Sequence, residues 1–282
     1  MIDQEILNKS IEYILNHLED NLTVQQVAEQ FHFSEYYFNR EFRKYTGESV
    51  YAFMKRQKIN QSAMEMKVDP KISITDAGEK YGYSASNYSS AFKASKKISP
   101  VTFRKTAHEQ VSSNPFQPEK IEYFGTYEEY QKNILIQEID DIDVLYERFI
   151  GNYGDLKSVW YDFMDRHAEV LEKHQTMIER FYDDPKVVEV NQCICDLCLP
   201  VTSFEGNKLS DSIEVTTIAG GKFAVYRYTG KIDNIYTTLQ GIFSIWLPQS
   251  DYKMDERYGL NIYRKVNRAM DQVVMDLYIP VL

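Results

Sequence analysis

The chain has 282 residues, 43% of them hydrophobic and 26% charged, with a formal net charge of −10. This length suits two domains, each with its own core, and no stretch approaches the roughly 18 uninterrupted apolar residues that would make a helical membrane protein. The charge is uneven: the window 40–105 carries 14 Lys/Arg against 6 Asp/Glu, whereas residues 109–282 carry 17 against 29, so a polyanion suits the first half and not the second.

The opening MIDQEILNKS is acidic and polar, unlike a basic and apolar signal peptide, so a cytoplasmic location with no membrane partner is expected. From Leu22, "LTVQQVAEQFHFSEYYFNREFRKYTGES" realigns without a gap fifty positions later with "ISITDAGEKYGYSASNYSSAFKASKKIS" from Ile72. Each copy reads as a short helix, a tight turn and a second helix capped by Ser34 or Ser84. Between them "VYAFMKRQKINQSAMEMK" has helical spacing and no breaker, so one connecting helix is expected in an all-α domain over residues 1–108.

At 100° per residue, Phe38, Phe42 and Tyr45 fall on one side of the first copy's second helix and should be core. Tyr36, Asn39, Arg40 and Arg43 fall on the opposite side, with Lys44 beside them. A guanidinium pairs bidentately with guanine, an amide with adenine, and a planar ring meets a thymine methyl or a sugar. In the second copy the outward residues are Ser86, Ser89, Ser90, Lys93 and Lys97, short hydroxyls and ammoniums better suited to phosphates than to bases. The plainer alternative, an amphipathic bundle helix with a solvated face, is weakened by the matched pair of copies.

Residues 4–107 resemble the DNA-binding domain of the AraC/XylS family of bacterial transcription activators. The resemblance rests on the first copy and on "ITDAGEKYGYS", "NYSSAFK" and "SPVTFRK" in the second. It implies two helix-turn-helix units entering successive major grooves of promoter DNA, with base contacts from Tyr36, Asn39 and Arg40 and weaker ones from Ser86, Ser89 and Ser90. It also implies contact with RNA polymerase. Ser90 stands where the family often has Arg, and Lys97 where it usually has Gly. Two recognition helices on one chain remove the need for a dimer, so a monomer or weak dimer is expected.

"EQVSSNPFQPEK", residues 109–120, is polar with two prolines and reads as a linker. Beyond it, "VLYERFIGNYGDLKSVWYDFM" from Val144 matches "FAVYRYTGKIDNIYTTLQGIF" from Phe223, pairing Arg148 with Arg227 and Gly151 with Gly230. Each copy runs strand, turn, amphipathic helix and two further strands. "IERFYDD" and "VVEVNQCICDLCLPV" are those strands in the first copy, "GLNIYRKV" and "MDQVVMDLYIPV" in the second. The fold class is therefore α+β in two domains, the second (121–282) a duplicated β-α-β-β antiparallel sheet with helices on one face and a pocket on the other. The three cysteines lie in "CICDLC" on one such strand; Cys193 and Cys195 share a face that Cys198 does not, which favours buried thiols over a metal site.

This half resembles the gyrase-inhibitor-like effector-binding domain of bacterial regulators, through "DLCLPV", "IAGGKFAVYRYTGKIDNIY", "WLPQSDYKMDERYGLNIY" and the closing "DLYIPV". The resemblance implies a small, often aromatic or cationic, hydrophobic ligand held between the repeats by aromatic walls and a glutamate in a Phe-Glu-x-Tyr pattern. Here that pattern is "LNIY", placing Asn261 at the glutamate and Tyr263 at the tyrosine, so a neutral aromatic ligand is expected. Alternation puts Asn261 and Tyr263 on one strand face and Leu260 and Ile262 on the other, against the helices. Tyr153, Trp160, Tyr228 and Trp246 are further pocket candidates or core aromatics. Asp196 either faces the pocket or pairs with Arg148 or Arg227.

Together these readings describe a DNA-binding transcription regulator, an activator by its resemblance, that senses a small hydrophobic or aromatic effector. No nucleophile with a matched base stands at a recognisable spacing, so neither a catalytic group nor a cofactor is expected. The alternatives are a second domain that binds a protein instead of a small ligand, or a hydrolase-like enzyme fused to a DNA reader.

Overall fold

The computed structural model describes residues 2–107, 109, 111–173, 176–201, 214–267 and 269–282. The chain divides into two compact units, Met1–Ala107 and His108–Leu282; His108, the expected end of the first domain, and Gln110 of the expected linker lie outside the described residues.

The first unit consists of helices α1 (Gln4–Asn16), α2 (Val24–Gln30), α3 (Glu35–Thr46), α4 (Val50–Val68), α5 (Ile74–Glu79), α6 (Ala85–Lys96) and α7 (Pro100–Ala107). The fifty-residue repeat is visible in its packing. Phe42 meets Phe53 edge-on at 5.4 Å, and their counterparts Phe92 and Phe103 meet at the same distance. Phe38, Phe42, Tyr88 and Phe92 are all buried, as their apolar spacing requires. The connecting helix α4 is buried on several sides because it serves both copies, and its Ser62 accepts a hydrogen bond from the Tyr88 hydroxyl at 3.0 Å. Tyr45 is half-buried rather than core, and its hydroxyl donates to Asn8 on α1 at 2.7 Å.

Ser34 and Ser84 occupy N-cap positions, yet neither side chain makes a capping hydrogen bond. Capping falls instead on the preceding helices, through Thr23 with Gln26 and through Ser73, and on α4 through Ser49. Each copy also needs two residues at positive φ. Gly82 and Gly47 fill one such place each, and His32 (φ 61°) and Lys97 (φ 64°) fill the counterparts at the cost of a crowded Cβ. Lys97→Gly should therefore raise the stability of this unit by about 1 kcal/mol. Thermal melting followed by circular dichroism would measure it, and an unchanged or lower midpoint would contradict it.

The second unit begins with a surprise for the linker reading. Residues Val111–Asn114 (β1) and Gln117–Tyr123 (β2) form an antiparallel hairpin. Asn114 turns the chain by accepting from the Phe116 amide at 2.9 Å, which is how a polar, proline-containing stretch becomes ordered. Phe116 meets Tyr236 edge-on at 5.8 Å, so the hairpin packs on the second unit.

There follow α8 (Tyr127–Asn133), β3 (Ile134–Ile139), β4 (Ile142–Gly151), α9 (Leu156–Arg166), α10 (Ala168–Lys173), β5 (Ile178–Phe181), β6 (Cys193–Pro200), β7 (Val215–Ile218), β8 (Gly221–Lys231) and α11 (Ile235–Gly241). The last helix continues through a π-turn, Ile242–Trp246, before β9 (Gly259–Val266) and β10 (Gln272–Pro280). The remaining eight strands form one antiparallel sheet in the order β3-β8-β10-β9-β5-β6-β4-β7. The two repeats meet along β5 and β9. Each repeat also gives its leading strand to the other: β3 precedes β4 but pairs with β8, and β7 precedes β8 but pairs with β4.

Register corrects the expected orientation of the sheet. Asn261 and Tyr263 lie on the face that carries the helices, where Trp160 of α9 packs edge-on against Tyr263 at 5.8 Å. Leu260 and Ile262 point the other way, into an apolar cluster with Val144, Tyr146, Ile178 and Phe223. Alternation separates the two faces of a strand but does not say which one the helices cover.

Candidate DNA-reading face and effector site

On α3 the five residues singled out by spacing, Tyr36, Asn39, Arg40, Arg43 and Lys44, line one open concavity. Tyr36 is 79% exposed despite its size, an unusual position for an aromatic ring with no interior to fill. Arg40 pairs with Glu41 at 2.7 Å and lies 5.0 Å from the Tyr37 ring centre; Lys44 pairs with the same glutamate at 3.1 Å. Asn39 has a second task that the sequence hides. Its Oδ1 accepts from the Val50 amide at 2.9 Å, tying α3 to the start of α4 and leaving its NH2 as the end that could meet a base.

On α6, Ser86, Ser89, Ser90 and Lys93 are exposed. The Ser90 hydroxyl turns back to the Ser86 carbonyl at 3.3 Å, and the Lys97 ammonium to the Ala94 carbonyl at 2.9 Å. Lys97 ends the helix rather than standing on its face.

In the second unit the centre of the sheet holds a residue that sequence reasoning missed. Glu179 on β5 is buried, and its carboxylate accepts from Trp160 Nε1 (2.8 Å), Tyr263 hydroxyl (2.7 Å) and Asn261 Nδ2 (3.1 Å). All three donors are neutral. Burial pushes the Glu179 carboxyl above its ordinary value, and the three hydrogen bonds only partly oppose this. Glu179 pairs with Leu197 as Asn261 pairs with Leu277, so the two occupy equivalent places in the repeats and face each other across the seam. "IERF" is thus the counterpart of "LNIY", and the carboxylate that Asn261 lacks is supplied from the first copy. The neutral amide expected at Asn261 therefore has a carboxylate beside it, that of Glu179 and not of Asp196.

Of the predicted pocket residues, Trp160, Asn261 and Tyr263 converge on Glu179. Tyr153 is adjacent: its ring meets Phe181, the counterpart of Tyr263, edge-on at 5.3 Å, and its hydroxyl donates to the Ile194 carbonyl. Tyr228 stands on the same face in a row with Met275 and Tyr263, its hydroxyl bound to the Lys231 carbonyl. Trp246 instead donates to Gln131 of α8 at 2.7 Å and stacks on Tyr252.

Asp196 lies on the opposite face. It binds Arg148 at 2.8 and 2.9 Å, Arg180 at 2.6 and 3.0 Å and the Tyr182 hydroxyl at 2.7 Å, all buried. Its partner set therefore includes Arg180 and not Arg227, which pairs with Asp276. Burial alone would raise the Asp196 pKa, but the two guanidiniums outweigh it and hold the carboxyl below its ordinary value. Cys193, Cys195 and Cys198 are free and buried, and burial raises the Cys195 thiol well above its usual range.

The comparisons follow this division. A model for a helix-turn-helix domain matches residues 27–106, and one for a GyrI-like small molecule binding domain matches residues 132–282. The regulatory protein PocR of Salmonella typhimurium (strain LT2) is 30% identical over 113 residues, 40% of this chain and 36% of PocR; the chain thus spans about a third of that relative. The C-terminal domain of AraT, a response regulator from Geobacillus stearothermophilus, is 26% identical with a TM-score of 0.34, covering 36% of this chain and 84% of that one. The EcmrR C-terminal domain is 15% identical with a TM-score of 0.42, covering 53% of this chain and 96% of that one. With more than half its length matched, the chain belongs to the GyrI-like small-molecule-binding family, here preceded by an AraC-type helix-turn-helix domain.

Proposed function

We propose that the protein is a transcription activator that reads promoter DNA with α3 and α6 and responds to a small hydrophobic effector held over Glu179. The observation that carries the DNA reading is the α3 concavity, where two guanidiniums, an ammonium, an amide and an exposed ring stand together. Base readout belongs to α3 and phosphate contact mainly to α6, because the α6 hydroxyls and ammoniums offer no bidentate fork. One chain carries both helices, so a monomer suffices for two adjacent grooves, and RNA polymerase is the partner that activation requires. Binding rather than catalysis fits the second unit, since the Glu179 carboxylate is engaged by Trp160, Asn261 and Tyr263.

The test uses a duplex selected from a random pool and a scrambled control, with fluorescence anisotropy. Arg40→Ala should cost about 1–3 kcal/mol on the selected duplex, whereas Lys93→Ala should weaken both duplexes alike and flatten the salt dependence. Parent-like binding of the selected duplex by Arg40→Ala would remove α3 as the reading helix.

A further inference from the structure

Glu41 sits on the flank of α3, between the core residues and the concavity, with only 19% of its side chain exposed. Arg40 Nε donates to Glu41 Oε1 at 2.8 Å and Arg40 Nη2 lies 2.7 Å from the same oxygen. Lys44 Nζ donates to both carboxylate oxygens at 3.1 Å. One carboxylate is thus shared by two of the five residues that line the concavity.

The mode of pairing matters. A guanidinium has five N–H donors, and Glu41 takes it from the Nε side. That leaves Nη1 and the outer hydrogen of Nη2, the end-on fork that fits the O6 and N7 acceptors of guanine. The Tyr37 ring beneath the guanidinium is a second restraint on the same side chain. A fixed negative charge at this place also opposes the phosphates that free Arg40 and Lys44 side chains would seek on any sequence.

We propose that Glu41 is a positioning residue that sets the sequence discrimination of α3: it presents Arg40 end-on to a base and withholds Arg40 and Lys44 from the phosphate backbone. This rests on α3 being the reading helix.

Glu41→Gln keeps the shape and removes the charge. On the selected duplex it should weaken binding by about three- to tenfold, and on the scrambled duplex it should strengthen binding by a similar factor, with a salt slope steeper by about one. Glu41→Asp, which keeps the charge but shortens the reach, should weaken the selected duplex and leave the scrambled one unchanged. Combined with Arg40→Ala, Glu41→Gln should add no further loss on the selected duplex, because its effect there runs through Arg40. Circular dichroism melts establish that each variant is folded. An equal change on both duplexes, no change on either, or additive losses in the double variant would overturn the proposal. Should Arg40→Ala itself leave selected binding intact, the reading of α3 fails along with it; should Arg40→Ala weaken binding while Glu41→Gln preserves the discrimination ratio, Glu41 alone is refuted.

Discussion

Asp196→Ala should destabilise the second unit by about 3–5 kcal/mol, the scale for removing one partner of a buried ion pair. Asp196 is the carboxylate that Arg148 and Arg180 share in the interior, with side-chain exposures of 0% and 4% for the two arginines. Its loss removes the bidentate pairing with Arg148, both hydrogen bonds that Arg180 makes to Oδ2 and the acceptor of the Tyr182 hydroxyl at one stroke. Asp196→Asn keeps the volume but not the charge and should cost nearly as much. Both tryptophans, Trp160 and Trp246, are buried in this unit, so their fluorescence in urea isolates it from the first. The folded pKa of Asp196 lies below its ordinary 3.8, so the contribution is complete above about pH 4 and is lost as pH falls through the depressed value. A shift smaller than 1 kcal/mol would show that the cluster is balanced by other means.

Glu179 carries the second large effect. Glu179→Gln should reduce affinity for a cationic triarylmethane dye by about tenfold to a hundredfold while leaving the neutral leuco form of that dye unaffected, because a carboxylate offsets the hydration a cation loses and an amide offers only a dipole. Protonation should do the same to the parent: cation affinity should fall as pH drops through the raised Glu179 pKa, and neutral binding should not. The empty protein shows the opposite sign. Its folded state holds the Glu179 proton more tightly than the unfolded chain does. Stability therefore declines as pH rises from the ordinary 4.5 to the raised value, and Glu179→Gln should remove that decline. Calorimetric titration with the two dye forms, and urea melts at pH 5 and 8, test the two halves. Equal loss of both ligands would mean that Glu179 shapes the site rather than charging it.

How much of this was legible in the sequence differs between the units. In the first, the copies keep one spacing of fifty residues from Leu22 to Phe103, so the paired aromatics, helices α3 and α6 and, Lys97 apart, their outward residues could be read off. Asn39 was read only as a base contact because its cap on α4 depends on how two helices meet. In the second unit the spacing drifts, from 79 residues at Arg148 and Arg227 to 82 at Glu179 and Asn261 and 80 at Asp196 and Asp276. "IERFYDD" and "GLNIYRKV" are legible as matching strands, but a spacing held at 79 does not set Glu179 against Asn261, which leaves the carboxylate of the first copy unmarked. Sliding the third strand by three residues would have found it. The hairpin at 111–123 was hidden by composition, since its order comes from Asn114 and from Phe116 packing on Tyr236 and not from any apolar alternation.

The exchanged leading strands have a mechanical consequence. To prise the repeats apart along the β5–β9 seam, β3 must also be stripped from β8 and β7 from β4, at opposite rims of the sheet. The three ladders bear load together, so neither repeat comes loose while the other holds. Glu179 stands on that seam, opposite Asn261, so a load applied there would be shared by both rims, and the whole sheet, not one repeat, would resist it.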